Sequence, residues 1–324
     1  MRFYAILTSL FAPFLFASSV LASTEPPAGA LIVGSSPKAK YKTVQAAVTA
    51  APSGGIIFIE SGTYNEQVFI PAGKNKLRII GYSANASSYQ GNTVTITQGL
   101  AQDSPGKPGN DKTATLRAWG DGLQMYNINL VNTRGKGSQA LALSAWGTEM
   151  SFLACQFIGF QDTILSEKGK HFISRSLIRG ATDYIFGQHS LLWIEKCVLQ
   201  CVNNSIGYLT ASGRDDPSNP SFFVINNSHV TGSAPAGAFY LGRPWRNYAR
   251  VIFQNSVLGP VINSAGYTTW QQADQRTDHV TFLEYKNTGP GASGTRASFV
   301  KQANGAVTIG SLFGTTEWIN AAFL

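Results

Sequence analysis

Two amides and two carboxylates stand out by type and spacing: Gln139, Gln161 with the adjoining Asp162, and Asp183. Gln139 precedes Gln161 by 22 residues, and Asp183 follows Asp162 by 21. Singly, each has an ordinary reading: a Gln at a strand end is solvated, and an Asp before an aromatic residue marks a turn. Their coincidence at one period, in a chain with only 17 acidic residues among 324, sets them apart. Such a set suits ester hydrolysis. One ionised Asp can attack the carbonyl carbon to give a covalent acyl intermediate. The second can protonate the leaving alcohol and then deprotonate water. Amide N–H groups can hold the tetrahedral oxyanion. Carboxylates this close repel, so one pKa rises and suits its owner to the acid role, while an arginine near the other keeps it ionised.

A fold that brings these residues together must stack positions about 21 apart. The chain is written in short apolar strands separated by Gly, Asn, Ser and Asp, and long amphipathic helices are absent. βα-barrels and doubly wound sheets are therefore excluded. Thr43 predicts a short helix over 44–51 that stops at Pro52, and Ile56-Ile57-Phe58-Ile59 reads as a buried strand. A repeat follows. Cys155-Gln156-Phe157-Ile158, Arg175-Ser176-Leu177-Ile178 and Lys196-Cys197-Val198-Leu199 begin 20 and 21 residues apart. Asn227-Ser228-His229-Val230 and Asn255-Ser256-Val257-Leu258 continue the series after longer loops. A second column runs through Gln139–Leu143, Gln161–Leu165 and Thr182–Phe186. Short strands at this period fit the coils of a parallel β-helix, whose successive strands pair at about 4.8 Å. An antiparallel sandwich with accidental spacing is the alternative, since its turns recur at comparable intervals.

Five segments, in order along nearly the whole chain, carry a resemblance to a known family. Gly62-Thr63-Tyr64-Asn65-Glu66, Gln139-Ala140-Leu141, Gly159-Phe160-Gln161-Asp162-Thr163, Asp183-Tyr184-Ile185-Phe186-Gly187 and Leu241-Gly242-Arg243-Pro244-Trp245 resemble the signature blocks of pectin methylesterases (pectinesterases). The fourth has Tyr184 where relatives carry Phe. The resemblance implies an all-β protein, a single right-handed parallel β-helix with a short N-terminal helix, that hydrolyses the methyl esters of pectin. It implies Asp183 as nucleophile, Asp162 as general acid and then base, and Gln139 and Gln161 as oxyanion donors. It further implies that Arg243 hydrogen-bonds Asp183, and that Trp245 and Phe186 line the sugar cleft. Relatives often carry Tyr just after Gln-Asp-Thr; Ile164-Leu165-Ser166 stands here, so a subsite contact is expected to be missing. No long N-terminal inhibitor-like region is visible, which suggests a microbial or invertebrate type.

Other chemistries lack their residues. There is no Gly-x-Ser-x-Gly elbow, and His171, His189, His229 and His279 sit in no triad-like motif. No metal-ligand spacing, P-loop or dinucleotide fingerprint occurs, so neither metal nor cofactor is expected. A polygalacturonase or pectate lyase would share the β-helix but not the five blocks. A non-catalytic wall-binding protein would share the groove, yet is expected to have lost one of the candidate catalytic groups.

Arg2, the apolar stretch over 3–16 and the small residues before Ala22 read as a secretory signal peptide over 1–22, leaving a catalytic domain over 23–324. Without those residues the chain keeps 24 basic and 17 acidic residues, a balance of +7. The basic residues are scattered with no Lys/Arg-rich run, which favours an acidic polysaccharide over nucleic acid, and no later segment is apolar enough to cross a membrane. The expected partner is pectin, bound by a secreted monomer open to plant proteinaceous inhibitors. Asn85, Asn203 and Asn226 head N-glycosylation triplets. Cys155, Cys197 and Cys201 are too few for a disulfide scaffold and read as buried thiols. Tyr267 and Trp270 could flank the cleft or pack in the core.

Overall fold

A computed structural model describes residues 23–106 and 109–324. The expected signal peptide, residues 1–22, lies outside the described residues. Among the described residues no helix is long and apolar enough to cross a membrane.

The chain winds as a right-handed parallel β-helix, the hand that parallel crossovers take. Its strands fall into three parallel sheets of 11, 8 and 7 strands, each coil giving a strand to each sheet in turn. The first repeat column forms the 8-stranded sheet, with Phe157, Ile178, Leu199, Val230 and Leu258 in register. The second column belongs to the 7-stranded sheet, where Leu143 pairs with Ile164 and Ile164 with Ile185. True register is 21 residues over the first three coils of both columns. The apparent spacings of 20 and 22 arose from choosing Cys155 and Gln139 as starting points, each one residue out of line. The parallel register replaces the antiparallel sandwich.

Sharp corners make so short a coil possible. Ala154, Arg175, Lys196, Asn227, Asn255 and Lys286 all have φ between 48° and 53°, in the left-handed region. They turn the chain between the 11- and 8-stranded sheets. The residue after each corner points inward and serves the coil before it. Ser176 Oγ accepts from Cys155 N (2.9 Å), Cys197 Sγ from Ser176 N (3.4 Å) and Ser228 Oγ from Cys197 N (3.1 Å). Ser256 Oγ and Asn287 Oδ1 continue the ladder at 3.0 and 3.1 Å. Small polar side chains thus satisfy backbone donors that the corner leaves unpaired. All three cysteines are free and buried, and burial pushes each thiol up to about 12.

The core fills the inside of the coil, from Val33 and Ile57 at one end to Phe253 and Phe282 at the other. The helix Val44–Ala50 packs Val44, Ala47 and Val48 into the first coil. Thr43 caps it as expected, and it ends one residue early because Ala51 is already extended ahead of Pro52. Glu66 accepts from Val44 N and Gln45 N at 2.7 and 2.8 Å, and Lys74 Nζ donates to the carbonyls of Val48, Thr49 and Ala51. Opposite charges thus sit at the two ends of the helix dipole. Gln45 also reaches the edge strand Val68–Ile70, taking Phe69 N (2.6 Å) and donating to Phe69 O (3.3 Å). The C-terminal segment lays Leu312, Phe313, Ile319 and Phe323 over Phe172, Trp193, Val224 and Ile252 on the outer face of the 11-stranded sheet.

Candidate active site

Asp162 and Asp183 lie on adjacent coils. Gln161 bridges Thr182 in parallel register, and Asp162 N donates to Thr182 O at 3.0 Å. The two carboxylates therefore leave neighbouring chains about 4.8 Å apart. Both residues have left-handed backbones, φ 61° and 48°, which Asp tolerates better than most side chains. Each sits just ahead of its strand, Ile164–Ser166 and Ile185–Gly187. The Gly159 of the Gly-Phe-Gln-Asp-Thr block has a packing reason: a Cβ there would lie 2.7 Å from Thr163 Oγ1.

The carboxylates are almost equally buried, 7 % and 6 % exposed, but their partners differ. Arg243 Nε donates to Asp183 Oδ1 (2.8 Å) and Nη2 to Asp183 Oδ2 (2.6 Å), a bidentate pair. Asp162 has no such partner among the described residues. Burial pushes both carboxyls up. For Asp183 the Arg243 guanidinium opposes that push. For Asp162 the Asp183 charge adds to it, and Arg243 relieves it less, so Asp162 stands well above the usual carboxylate range. Desolvation outweighs like-charge repulsion as the cause of the rise.

Arg243 belongs to strand Phe239–Pro244 and reaches back along the sheet. Its Cζ lies 4.0 Å over Tyr208 and 4.2 Å over Trp270, so two rings clamp the guanidinium. Of the two aromatics left open by sequence, Trp270 is thus at the site. Tyr267 is core, stacked on Phe282 at 4.3 Å. No motif surrounds Tyr208; the register of its strand against Phe239–Pro244 brings its ring under Arg243 and against Tyr240 at 6.0 Å.

Gln161 neighbours Asp162 directly. Gln139 is offset by one, since it is Ala140 N that donates to Gln161 O (3.2 Å). Both glutamines are half-buried at the groove, and neither amide has a side-chain partner among the described residues. Trp245 meets Phe186 edge to face at 6.0 Å, and both line a cavity of about 460 Å³. Gly213 makes room for that ring, as a Cβ would sit 2.5 Å from Trp245 Cε3. Leu165 lines the same cavity. Among the described residues no group of three His, Cys, Asp or Glu side chains could hold a metal ion.

A parallel β-helix with a guanidinium-held carboxylate beside a free one, in an aromatic-lined groove, is the class that fold and site define. The sequence profile of the Pectinesterase family matches residues 30–309. A pectinesterase of Aspergillus aculeatus is 40% identical over 98% of this chain and 100% of its own. The solved pectin methylesterase of Aspergillus niger superposes with a TM-score of 0.85 at 37% identity, covering 93% of this chain and 100% of its own. That of carrot gives 0.80 at 28% identity, over 90% and 95% of the two chains. This chain belongs to the pectinesterase family of carboxylic ester hydrolases.

Proposed function

We propose that the protein is secreted and hydrolyses the methyl esters of pectin homogalacturonan to pectate and methanol through an aspartyl acyl-enzyme. The observation that carries the mechanism is the unequal pairing of the two buried aspartates. Asp183, held ionised by Arg243, attacks the ester carbon. The carbonyl oxygen becomes an oxyanion facing the amides of Gln139 and Gln161. Asp162, the carboxyl that favours its proton, gives it to the departing methoxide, releasing methanol and leaving an Asp183 anhydride. Asp162, now ionised, takes a proton from water; the hydroxide opens the anhydride, returning Asp183 and freeing the acid. Trp245 and Phe186 offer faces to the sugars.

Residues 1–22 act as the signal peptide, and 23–324 form one catalytic domain. Asn85 and Asn203 are exposed and open to glycosylation. The solved Aspergillus niger relative retains an N-acetylglucosamine stub on an asparagine. Asn226 is buried, its Nδ2 donating to Glu195 and its Oδ1 accepting from Gln254 and Asn255, so it stays unmodified.

The test is methanol release from highly methylated pectin with no new reducing ends; new reducing ends would mean cleavage of the glycosidic bond instead. Hydroxylamine tests the intermediate. Methyl and ethyl esters of one galacturonan should give the same ratio of hydroxamate to acid. A ratio that follows the alcohol would reduce Asp183 to a base activating water.

A further inference from the structure

Four successive coils enter the 11-stranded sheet through one column of residues. Gly54, Lys76, Gly122 and Glu149 each stand two positions before the aligned set Ile56, Arg78, Gln124 and Ser151. All four have φ between 56° and 76°, in the left-handed region. Two are glycine and two carry charge, so gaps and side chains alternate along the column. A Cβ on Gly122 would lie 3.0 Å from Lys76 Cγ, so its neighbour needs that gap. The gaps open a cavity of about 560 Å³, closed on its far side by Thr315, Glu317 and Trp318 of the C-terminal segment. It lies on the outer face of the 11-stranded sheet, whereas the two aspartates stand ahead of strands of the 7-stranded sheet.

We propose that this cavity is a second pectin-binding site, separate from the catalytic groove, which takes an unesterified galacturonate unit. The inference rests on the pectinesterase reading, since the free acid is the product of that reaction. Lys76 and Arg78 stand at one end of the cavity and Glu149 at the other. Lys76 and Glu149 are two coils apart, about 10 Å, too far to pair and wide enough for a sugar ring between them. Among the described residues, none of Lys76, Arg78, Glu149 and Glu317 joins an ion pair. The two cations can therefore hold a carboxylate, and the Arg78 guanidinium can do so with two N–H donors. Glu149 can accept from sugar hydroxyls. Trp318 lines the cavity between these ends and offers ring surface to the sugar.

The wall opposite the column is fixed in place. Gln124 Nε2 donates to Trp318 O (3.0 Å), Trp318 Nε1 donates to Thr315 O (3.1 Å), and Phe313 meets the indole at 5.2 Å. Nearby charges are already committed. Lys170, one coil further along the column, donates to Phe313 O (2.7 Å), and Asp121 Oδ1 accepts from Thr148 N (2.8 Å). The cavity itself holds two charges of each sign, so net attraction does not select its ligand. The separation of a cationic from an anionic end does. A methyl ester gives Lys76 and Arg78 no charge to hold. Both cations are exposed, so each contact is screened and weak. A polymer compensates by presenting many such units in succession.

The experiment is retardation of the protein in a gel containing pectate, compared with a pectate-free gel; the catalytic groove contributes a background common to every variant. Lys76→Gly combined with Arg78→Gln suits the backbone, because glycine already holds that column position in the two flanking coils. This double variant should weaken retention about fivefold, the scale of two exposed charge contacts, with kcat/KM on a short methylated oligomer unchanged. Retention equal to that of the wild type overturns the proposal. Lys38→Gln combined with Lys40→Gln removes the same charge from an exposed stretch elsewhere. An equal loss there would trace retention to net charge and overturn the proposal as well. Glu149→Gly makes the protein more basic, yet it should weaken retention about twofold by removing a hydroxyl acceptor. Stronger retention would mean a mere cationic patch. Should the variants fail to fold, the wild type decides by NMR. Trigalacturonate should shift the indole N–H resonance of Trp318 and a neutral trigalactoside should not; no shift, or the same shift with both, overturns the proposal. Absence of methanol release from methylated pectin would sink the pectinesterase reading, a result separate from pectate retention.

Discussion

One guanidinium distinguishes two aspartates that burial alone would leave alike. Both carboxyls are raised, and Arg243 offsets the cost more for Asp183, which it holds in a bidentate pair, than for Asp162. The sequence makes the pair legible through period and motif, but not the clamp on Arg243, because Tyr208 and Trp270 belong to no shared block. Gln139, with its amide free beside the pair, should act on the transition state. Gln139→Ala is expected to lower kcat by about 100- to 1000-fold with little change in KM, measured as methanol release. A rise in KM alone would make it a binding residue. His171 shows burial acting in the opposite sense. It is enclosed, with Nε2 on Gly147 O (2.9 Å) and Nδ1 on Ser166 Oγ (2.7 Å), and desolvation lowers its pKa to about 4. The unfolded chain, titrating near 6.5, then binds more protons than the folded one between these values, so stability falls as pH drops from about 6.5 to 4. The loss should approach about 3 kcal/mol. His171→Gln should flatten the dependence of Tm on pH across that window; an unchanged slope would point to other groups.

At the level of strands and corners, the repeat column was readable because each coil brings one apolar pair to the same sheet. The one-residue errors were unavoidable from sequence. A corner residue with positive φ is Ala, Arg, Lys or Asn here, with no glycine to mark it. The inward residue after it is Cys, Ser or Asn, which hides a ladder of acceptors among apparent core thiols. That ladder gives Cys197 two tasks, filling space and accepting from Ser176 N. Cys197→Ser should stay close to wild type in Tm. Cys197→Val keeps the bulk but strands a buried amide, costing about 1–3 kcal/mol in urea unfolding. Equal stability of the two variants would mean that packing alone sets the choice.

Across the whole molecule, the surplus of positive charge meets a polyanionic substrate. The chain carries 25 basic and 17 acidic residues in all. Attraction between exposed charges fades beyond about 8 Å at physiological salt. Added salt should therefore raise KM on pectin, and more steeply on a chain already bearing free carboxylates. An identical salt response on high- and low-methyl pectin would remove long-range charge from the account.

A stack of parallel strands has ends, and at its first coil the backbone of Val68–Ile70 lies at the margin of the 7-stranded sheet. There Gln45 satisfies both the N–H and the C=O of Phe69, as a further strand would. The helix carrying Gln45 should thus also keep copies of the protein from adding to one another end on. An open strand margin invites such growth. Gln45→Ala should leave each molecule folded and as active as before in dilute solution. Light scattering should then reveal assemblies that lengthen with protein concentration, where the parent remains dispersed.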